Sequence, residues 1–387
     1  MGYKVLVINW RDIKNPNAGG AEVNFQEIFK RLVRRGHQVT LLCSRHDRTF
    51  PEEEWIDGIR IFRRGNRNTF NFTVPRVYKR EFSNSNIDIV VEDCNKIPFY
   101  SPFYVRHPFF VIIHHLHGSS IYGDAFLPAA MYVHLAERLI PFFYKNVPFI
   151  TVSQSTKNEL VRKGLYAKDI EVVHNGVDHE VFTPDESIRS RAPLIACVTR
   201  LKKYKGIHLL LRAMPYVRQE IPDAELIVAG SGNYAPKLHQ LSRELGLNDC
   251  VKFTGFVTVE QEVDVYRRAK VVVNPSAKEG WGLTVIESNA CGTPVVAAAV
   301  PGLIDSVLDG ETGFLYPHSD LKTMARHIVR LLRDDHLREK LGARSLEWAK
   351  EFTWQKAADK VELMIERVMS GQAGKAPAGP MSVKGNR

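Results

Sequence analysis

The stretch of this sequence richest in chemistry runs Asn274-Pro-Ser-Ala-Lys-Glu-Gly-Trp-Gly-Leu-Thr-Val-Ile-Glu287. An apolar run, Val271–Val273, leads into a loop with two glycines and then into a helical pattern ending near Gly292. A helix start exposes unpaired backbone N–H groups and the positive end of a dipole. Gly280 and Gly282 let an anion approach the backbone closely. The segment is therefore expected to cradle a phosphate, although it lacks Walker or GxGxxG spacing. Two carboxylates, Glu279 and Glu287, flank it. Like charges repel, so neither suits a phosphate, but each can accept from sugar hydroxyls with two oxygens. A nucleotide sugar carries such hydroxyls at both ends. The plainer alternatives are a capping box for Thr284-Val-Ile-Glu287 and an exposed loop acid for Glu279.

Three other clusters sit where strand patterns end. His114-His-Leu-His117 follows the apolar run Phe109–Ile113, and loops after parallel strands face the ligand crevice of an open α/β sheet. A metal site is disfavoured there. Imidazoles one and three residues apart on an extended chain do not converge easily, and no carboxylate lies beside them. Glu92-Asp-Cys-Asn95 ends another strand, so Asp93 and Asn95 are candidates for acceptor or sugar hydroxyls, with a turn-capping acid as the plainer reading. Gly19-Gly20 opens the first helix after the turn-rich tract Asn15–Gly20, and Glu22 there complements the helix N-terminus.

These residues need elements to hold them. Val5–Ile8, Val39–Leu42, Ile87–Val91, Phe109–Ile113 and Phe149–Val152 read as parallel strands apolar on both faces, with helical patterns between. The pattern restarts with Leu194–Val198, Leu226–Ala229, Val251–Phe253, Val271–Val273 and Pro294–Ala297. Two successive α/β units follow. Their joint falls in Val181–Pro193, which is polar and flanked by proline. Helical periodicity returns at Phe352–Met369, and Ser370–Arg387 reads as a disordered basic tail. The predicted domains are 1–182 and 183–351, followed by the helix at 352–369 and the tail at 370–387.

The run Glu279-Gly-Trp-Gly-Leu-Thr-Val-Ile-Glu287, continued by Ala290-Cys-Gly-Thr-Pro-Val-Val296, resembles the E-x7-E motif of glycosyltransferase family 4. Gly19-Gly-Ala-Glu22, Val152-Ser153, Asn175-Gly-Val-Asp178, Arg200 with Lys205-Gly206, Ala229-Gly-Ser-Gly232 and Phe253-Thr-Gly-Phe256 fall in the family's order over nearly the whole chain. The resemblance implies the GT-B fold: two Rossmann-like domains facing across a cleft, with a last helix crossing back to the first. It implies an enzyme, a retaining hexosyltransferase using a nucleotide-sugar donor. It also implies that Arg200 and Lys205 hold the donor diphosphate, neutralising the leaving group as a metal ion does elsewhere. No D-x-D triplet occurs, which agrees with metal-independent chemistry, and no cofactor is expected. By the same resemblance Glu287 holds the ribose and Glu279 the transferred sugar. Gly280, Trp281, Gly282, Leu283 and Thr284 complete the donor site, and Gly19 and Gly20 face it from the first domain. His114 is the best match for a histidine near the transferred sugar, and His117 the next. The leaving phosphate itself would take the acceptor's proton, so no enzyme nucleophile is needed. A nucleotide-sugar epimerase of the same fold and a non-catalytic binding module are the rival readings.

The 387 residues carry 44% hydrophobic and 25% charged residues, as a globular chain does. Five scattered cysteines without CxxC spacing read as reduced thiols rather than a disulfide frame or a zinc site. No signal peptide or membrane span is visible, which points to the cytoplasm. A formal charge of +10 calls for polyanionic partners. Seven of the basic residues lie between Arg60 and Arg80 without an acid, beside an aromatic-rich stretch at Ser101–Ile150. The strip is either a solvated helix face or a contact with an anionic membrane surface, which would make the enzyme peripheral. The expected partners are then a nucleotide-sugar donor, a glycan or lipid-linked acceptor, and that surface. Nucleic acid is disfavoured, because no recognised binding pattern accompanies the charge.

Overall fold

The computed structural model describes residues 2–371 apart from 96, 117, 124, 125 and 191. The β-branched runs form strands that are buried on both faces, because helices cover both sides of each sheet. The first sheet contains β1 (Lys4–Ile8), β2 (Gln38–Arg45), β3 (Glu53–Ile56), β4 (Ile59–Asn66), β5 (Ile89–Cys94), β6 (Phe109–Ile113), β7 (Phe149–Thr151) and β8 (Ile170–Val172). Their spatial order is β3-β4-β2-β1-β5-β6-β7-β8. The second sheet contains β9 (Leu194–Val198), β10 (Glu225–Ala229), β11 (Val251–Gly255), β12 (Val271–Asn274), β13 (Val295–Ala298) and β14 (Gly313–Tyr316), ordered β11-β10-β9-β12-β13-β14. All pairings are parallel except β3 with β4. In each sheet the order reverses beside the first strand laid down, β1 or β9, which creates the crevice that binds ligands in doubly wound folds.

The helices are α1 (Gly20–Arg34), α2 (Phe70–Val77), α3 (Leu127–Phe143), α4 (Gln154–Arg162), α5 (Ile207–Glu220), α6 (Ala235–Glu244), α7 (Val259–Arg268), α8 (Leu283–Ala290), α9 (Leu303–Ser306), α10 (Leu321–Arg333), α11 (Asp335–Ala349) and α12 (Trp354–Met369). On one face of the first sheet, Phe25, Ile28, Phe29 and Leu32 of α1 form a single core with Trp354, Ala358, Val361 and Ile365 of α12. Thus α12, the last described helix, returns to the first sheet. Arg35 and His37 pair with Glu362, and Arg367 pairs with Glu171, fixing its middle and its last turn. Where the chain crosses between sheets, Val177 N donates to Phe352 O over 3.1 Å. Gly176 is required there, since a Cβ would lie 2.1 Å from the backbone N of Trp354.

The sequence reading missed β3, β4, β8 and β14. The β3–β4 hairpin carried a signal, because Asp57 and Gly58 both have positive φ, the conformation of an Asp-Gly hairpin turn. Its consequence is a correction to the basic strip. Arg60, Arg63 and Arg64 lie on β4, not on a helix face. Arg63 is buried, donating to Asp12 over 2.8 Å and paired with Glu54 over 2.6 Å. Arg60 and Arg64 pair with Glu53. Only Arg67, Arg76, Lys79 and Arg80 of the seven are exposed without being paired across this hairpin.

Candidate functional site

The two sheets direct their strand ends into one cleft of about 580 Å3. Its walls begin with two helix N-termini. At the start of α1, Gly19 is extended and its N–H donates to Glu22 Oε2 over 2.7 Å. At the start of α8, Gly282 sits at φ +92°, a conformation that glycine adopts at low cost. The N-cap is therefore Gly282, and the capping box considered for Thr284 and Glu287 is not formed. Gly20 and Leu283 meet across the cleft: a Cβ at Gly20 would lie 3.1 Å from Leu283 Cδ1. The first N–H groups of both helices lack intrahelical acceptors, so two positive dipole ends converge on the same space.

Two cations join them. Arg200 is exposed after β9, and a Cβ at Gly19 would lie 3.1 Å from its guanidinium carbon. Lys205 is buried at the start of α5 and bonds Glu279 Oε1 at 2.5 Å, where Ser276 Oγ also donates at 2.8 Å. Burial works against the Lys205 ammonium, but the Glu279 carboxylate outweighs it, so its pKa is raised. Lys205 is thus a fixed charge rather than a proton donor. The Ser276 hydroxyl, which the sequence reading passed over, holds Glu279 from the second residue after β12.

Glu287 faces the cleft from α8 with a partner that sequence reasoning also missed. Tyr266 Oη lies 3.2 Å from Glu287 Oε2 and 2.9 Å from Glu262 Oε1. Burial, and then the charge of Glu262, push the Glu287 carboxyl well above the ordinary carboxylate range. Burial raises Glu262 as well. The available signal was the spacing of Glu262 and Tyr266, which places both on one face of α7.

The first domain supplies a hydrogen-bonded chain. His114 Nε2 lies 2.7 Å from Asp93 Oδ1, and Asn9 Nδ2 donates to Asp93 Oδ2 over 2.6 Å. Asn95 Nδ2 donates to Asn9 Oδ1 at 3.0 Å and to Glu22 Oε1 at 2.5 Å. Burial pushes the Glu22 carboxyl up, against the pull of Arg11. Asp93 is fully buried and is not among the residues lining the cleft, so it does not reach a substrate hydroxyl in this geometry. It orients His114 instead, which is a correction to the expected role. Because Asp93 only accepts, His114 Nε2 carries a hydrogen and Nδ1 is the ring's remaining polar atom. Asn95 lines the cleft, while His117 lies outside the described residues. Glu92 is spent on structure: it accepts from Phe99 N, Ser101 N and Tyr144 Oη.

Trp281 is among the residues lining the cleft, and its side chain has a structural place besides. Its ring is 2% exposed and stacks on His174 with centroids 4.2 Å apart, against Phe352 behind it. It braces the crossing between the sheets. Gly280 has a second duty beyond anion approach, since a Cβ would lie 2.4 Å from His114 O. The loop before α8 and the histidine loop touch there without room for any side chain. Among the described residues, no group of three or more His, Cys, Asp or Glu side chains could hold a metal ion.

Comparison with known proteins covers both halves. The family described as Glycosyltransferase Family 4 matches residues 18–181, and Glycosyl transferases group 1 matches residues 178–348. D-inositol 3-phosphate glycosyltransferase of Corynebacterium aurimucosum is 34% identical over 238 residues, 57% of this chain and 56% of that protein. The chain thus spans about half the length of the curated relatives of this name. An uncharacterised glycosyltransferase of Methanocaldococcus jannaschii is 28% identical over 361 residues, 87% of this chain and 90% of that one. Among solved structures, sucrose-phosphate synthase of Thermosynechococcus elongatus superposes with a TM-score of 0.82 at 23% identity, covering 95% of this chain and all of that one. HepE of Anabaena in complex with UDP-glucose gives 0.76 at 21% identity, covering 94% and 99%. These likenesses establish the GT-B fold, and the two family matches laid end to end place the chain in glycosyltransferase family 4.

Proposed function

We propose that the protein transfers a sugar from a nucleotide-sugar donor to an acceptor hydroxyl, with retention at the anomeric carbon and without a metal ion. The observation that carries this is the convergence of four positive features, the N-termini of α1 and α8 with Arg200 and Lys205, on one cleft that also holds Glu279 and Glu287. A diphosphate fits the first set and sugar hydroxyls fit the second. The donor lies mainly on the second domain. Arg200 and Lys205 take the leaving diphosphate, with the N–H groups of Leu283 and Thr284. Glu287 takes the ribose and Glu279 the transferred sugar, with His114 approaching that sugar from the opposite wall. The acceptor, a glycan or a lipid-linked or small hydroxyl compound, enters from the first domain. As that hydroxyl attacks, the departing phosphate oxygen on the same face takes its proton, and cation and dipole stabilise the charge left on the diphosphate. An epimerase or a passive binding module is not favoured by the family match.

UDP and ADP sugars come first in testing, since a structural neighbour of the first sheet-and-cleft type holds UDP-glucose and a starch synthase neighbour holds ADP. A thermal-shift screen of UDP, GDP, ADP and TDP sugars finds the donor by stabilisation of the folded state. Transfer is then read as nucleoside diphosphate release with inositol phosphates, sugar phosphates and lipid alcohols as acceptors, and the product anomer by proton coupling. Glu279→Gln retains the hydrogen bond from Ser276 and should abolish most transfer. Normal turnover in that variant, or product of inverted configuration, would sink the assignment.

A further inference from the structure

Helix α3 is apolar on two opposite faces. Ala130, Val133, Ala136 and Ile140 are buried on one side, together with Glu137, which accepts from Gly118 N. The opposite line contains Leu127 (61% exposed), Met131 (57%), Leu135 (56%) and Phe142 (75%), where an ordinary surface helix carries polar residues. Among the described residues, ten of the twenty exposed large apolar side chains fall between Phe72 and Phe143. Alongside runs an apolar groove of about 570 Å3, lined by Phe72, Pro75, Tyr100, Phe103, Leu139 and Phe143. A contiguous apolar surface of this kind marks an interaction site.

The charges beside it have one sign. Arg76 follows the groove-lining Pro75 on α2, Lys79 and Arg80 continue on the next turn, Arg106 precedes β6, and Arg138 projects from α3 within the apolar line; all five are exposed. The exposed acid on these elements is Glu81, which is paired with Arg80. A second copy packed two-fold on this face would bring Arg138 and its neighbours against their own kind. No described helix is long and apolar enough to cross a membrane.

We propose that this face rests on an anionic lipid bilayer. Leu127, Met131, Leu135 and Phe142 enter the headgroup–acyl boundary, an acyl chain occupies the groove, and Arg76, Lys79, Arg106 and Arg138 meet lipid phosphates. The contact is centred on α3 and α2, not on the β4 arginines, which are already ion-paired. The proposal rests on the acceptor half of the reading above, because a lipid-linked acceptor would reach the cleft from such a surface. Its test involves no transfer, so failure would leave the donor-side reading standing.

The full chain is sedimented with vesicles of phosphatidylcholine alone and of phosphatidylcholine with phosphatidylglycerol. Binding should be about tenfold or more stronger with the anionic lipid at low salt, and should weaken as salt rises. Leu135→Glu with Phe142→Glu changes exposed side chains only, so the melting temperature should hold while vesicle binding is lost at every salt concentration. Arg76→Glu with Lys79→Glu should remove most of the salt-sensitive part. Equal binding to both vesicle types, or unimpaired binding by the double glutamate variant of α3, overturns the proposal. So does a stable dimer by light scattering that the α3 variant dissociates, which would assign the face to a second copy.

Discussion

If Glu287 takes the ribose, the pair Glu262–Glu287 should make nucleotide binding a proton-coupled event. The Tyr266 hydroxyl has one hydrogen, yet both carboxylates lie within hydrogen-bond distance of it. One contact takes that hydrogen. The other sets two lone pairs face to face unless its carboxyl is protonated. Burial and mutual repulsion favour the second state, and both groups are raised above the ordinary carboxylate value. If Glu287 takes the ribose, as proposed, it must be ionised to accept that hydroxyl with full strength, and binding should expel a proton. One proton released corresponds to a tenfold gain in affinity per pH unit, about 1.4 kcal/mol. The gain runs from the ordinary carboxylate pKa, about 4.3, up to the raised native value, and then levels off. Stability has the opposite sign. A carboxyl raised in the folded state stabilises it fully below the unfolded pKa, and that contribution is lost as pH rises through the folded pKa. Glu262→Gln removes the neighbouring charge, so Glu287 ionises at lower pH and the variant should bind nucleotide more tightly than the parent on the acidic side. The assay is calorimetry of UDP or ADP binding from about pH 5 to about pH 8, in two buffers of different ionisation enthalpy. Flat affinity over that range with no proton released, or an unchanged pH profile in Glu262→Gln, would refute the reasoning.

Other expectations follow from the same geometry. Asp93→Asn should lower turnover about tenfold to a hundredfold with a smaller change in donor KM, because His114 loses a charge-assisted hydrogen bond of about 1.5–3 kcal/mol; a change confined to KM would contradict the positioning role. Gly280→Ala places a methyl 2.4 Å from His114 O, so the cleft must widen, and small-angle scattering should report a larger radius of gyration together with reduced transfer. Lys205→Ala leaves Glu279 without its cation in a site where the two side chains are only 11% and 14% exposed. Breaking such a pair costs up to about 3–5 kcal/mol, so this variant should melt lower than Glu279→Gln, and equal melting temperatures would show the pair to be solvated.

Much of the donor side was legible because its signals are local. A strand, two glycines and a helix start occupy adjacent positions, and Glu279 and Glu287 sit on the same short segment. The first domain was less legible, because its site is assembled from distant residues. Asn9, Glu22, Asp93, Asn95 and His114 come from four separate parts of the chain, and only the pairing of β1 with β5 and of β5 with β6 brings them into one network. That is why Asp93 read as a substrate ligand when it is a support. Arg63 misled for a related reason: a run of positive charge carries no mark of which member finds a buried Asp12. The ring of Trp281 could not be placed from sequence, since its partner His174 lies more than a hundred residues earlier.

The return of α12 has a practical bearing on dissecting this molecule. The first domain's core is closed by α12, which is encoded after the second domain, so residues 1–182 expressed alone would open the core that holds Phe25, Ile28 and Phe29 and should aggregate. A ribosome must translate the whole second domain before the helix that covers the first one emerges. Folding of the amino-terminal half is therefore tied to completion of the carboxy-terminal one, and a truncated translation product ending before Trp354 would be recognisable to quality control by its open hydrophobic face. To isolate the first domain, one would splice α12 behind β8 with a linker, restoring the cover that this helix supplies.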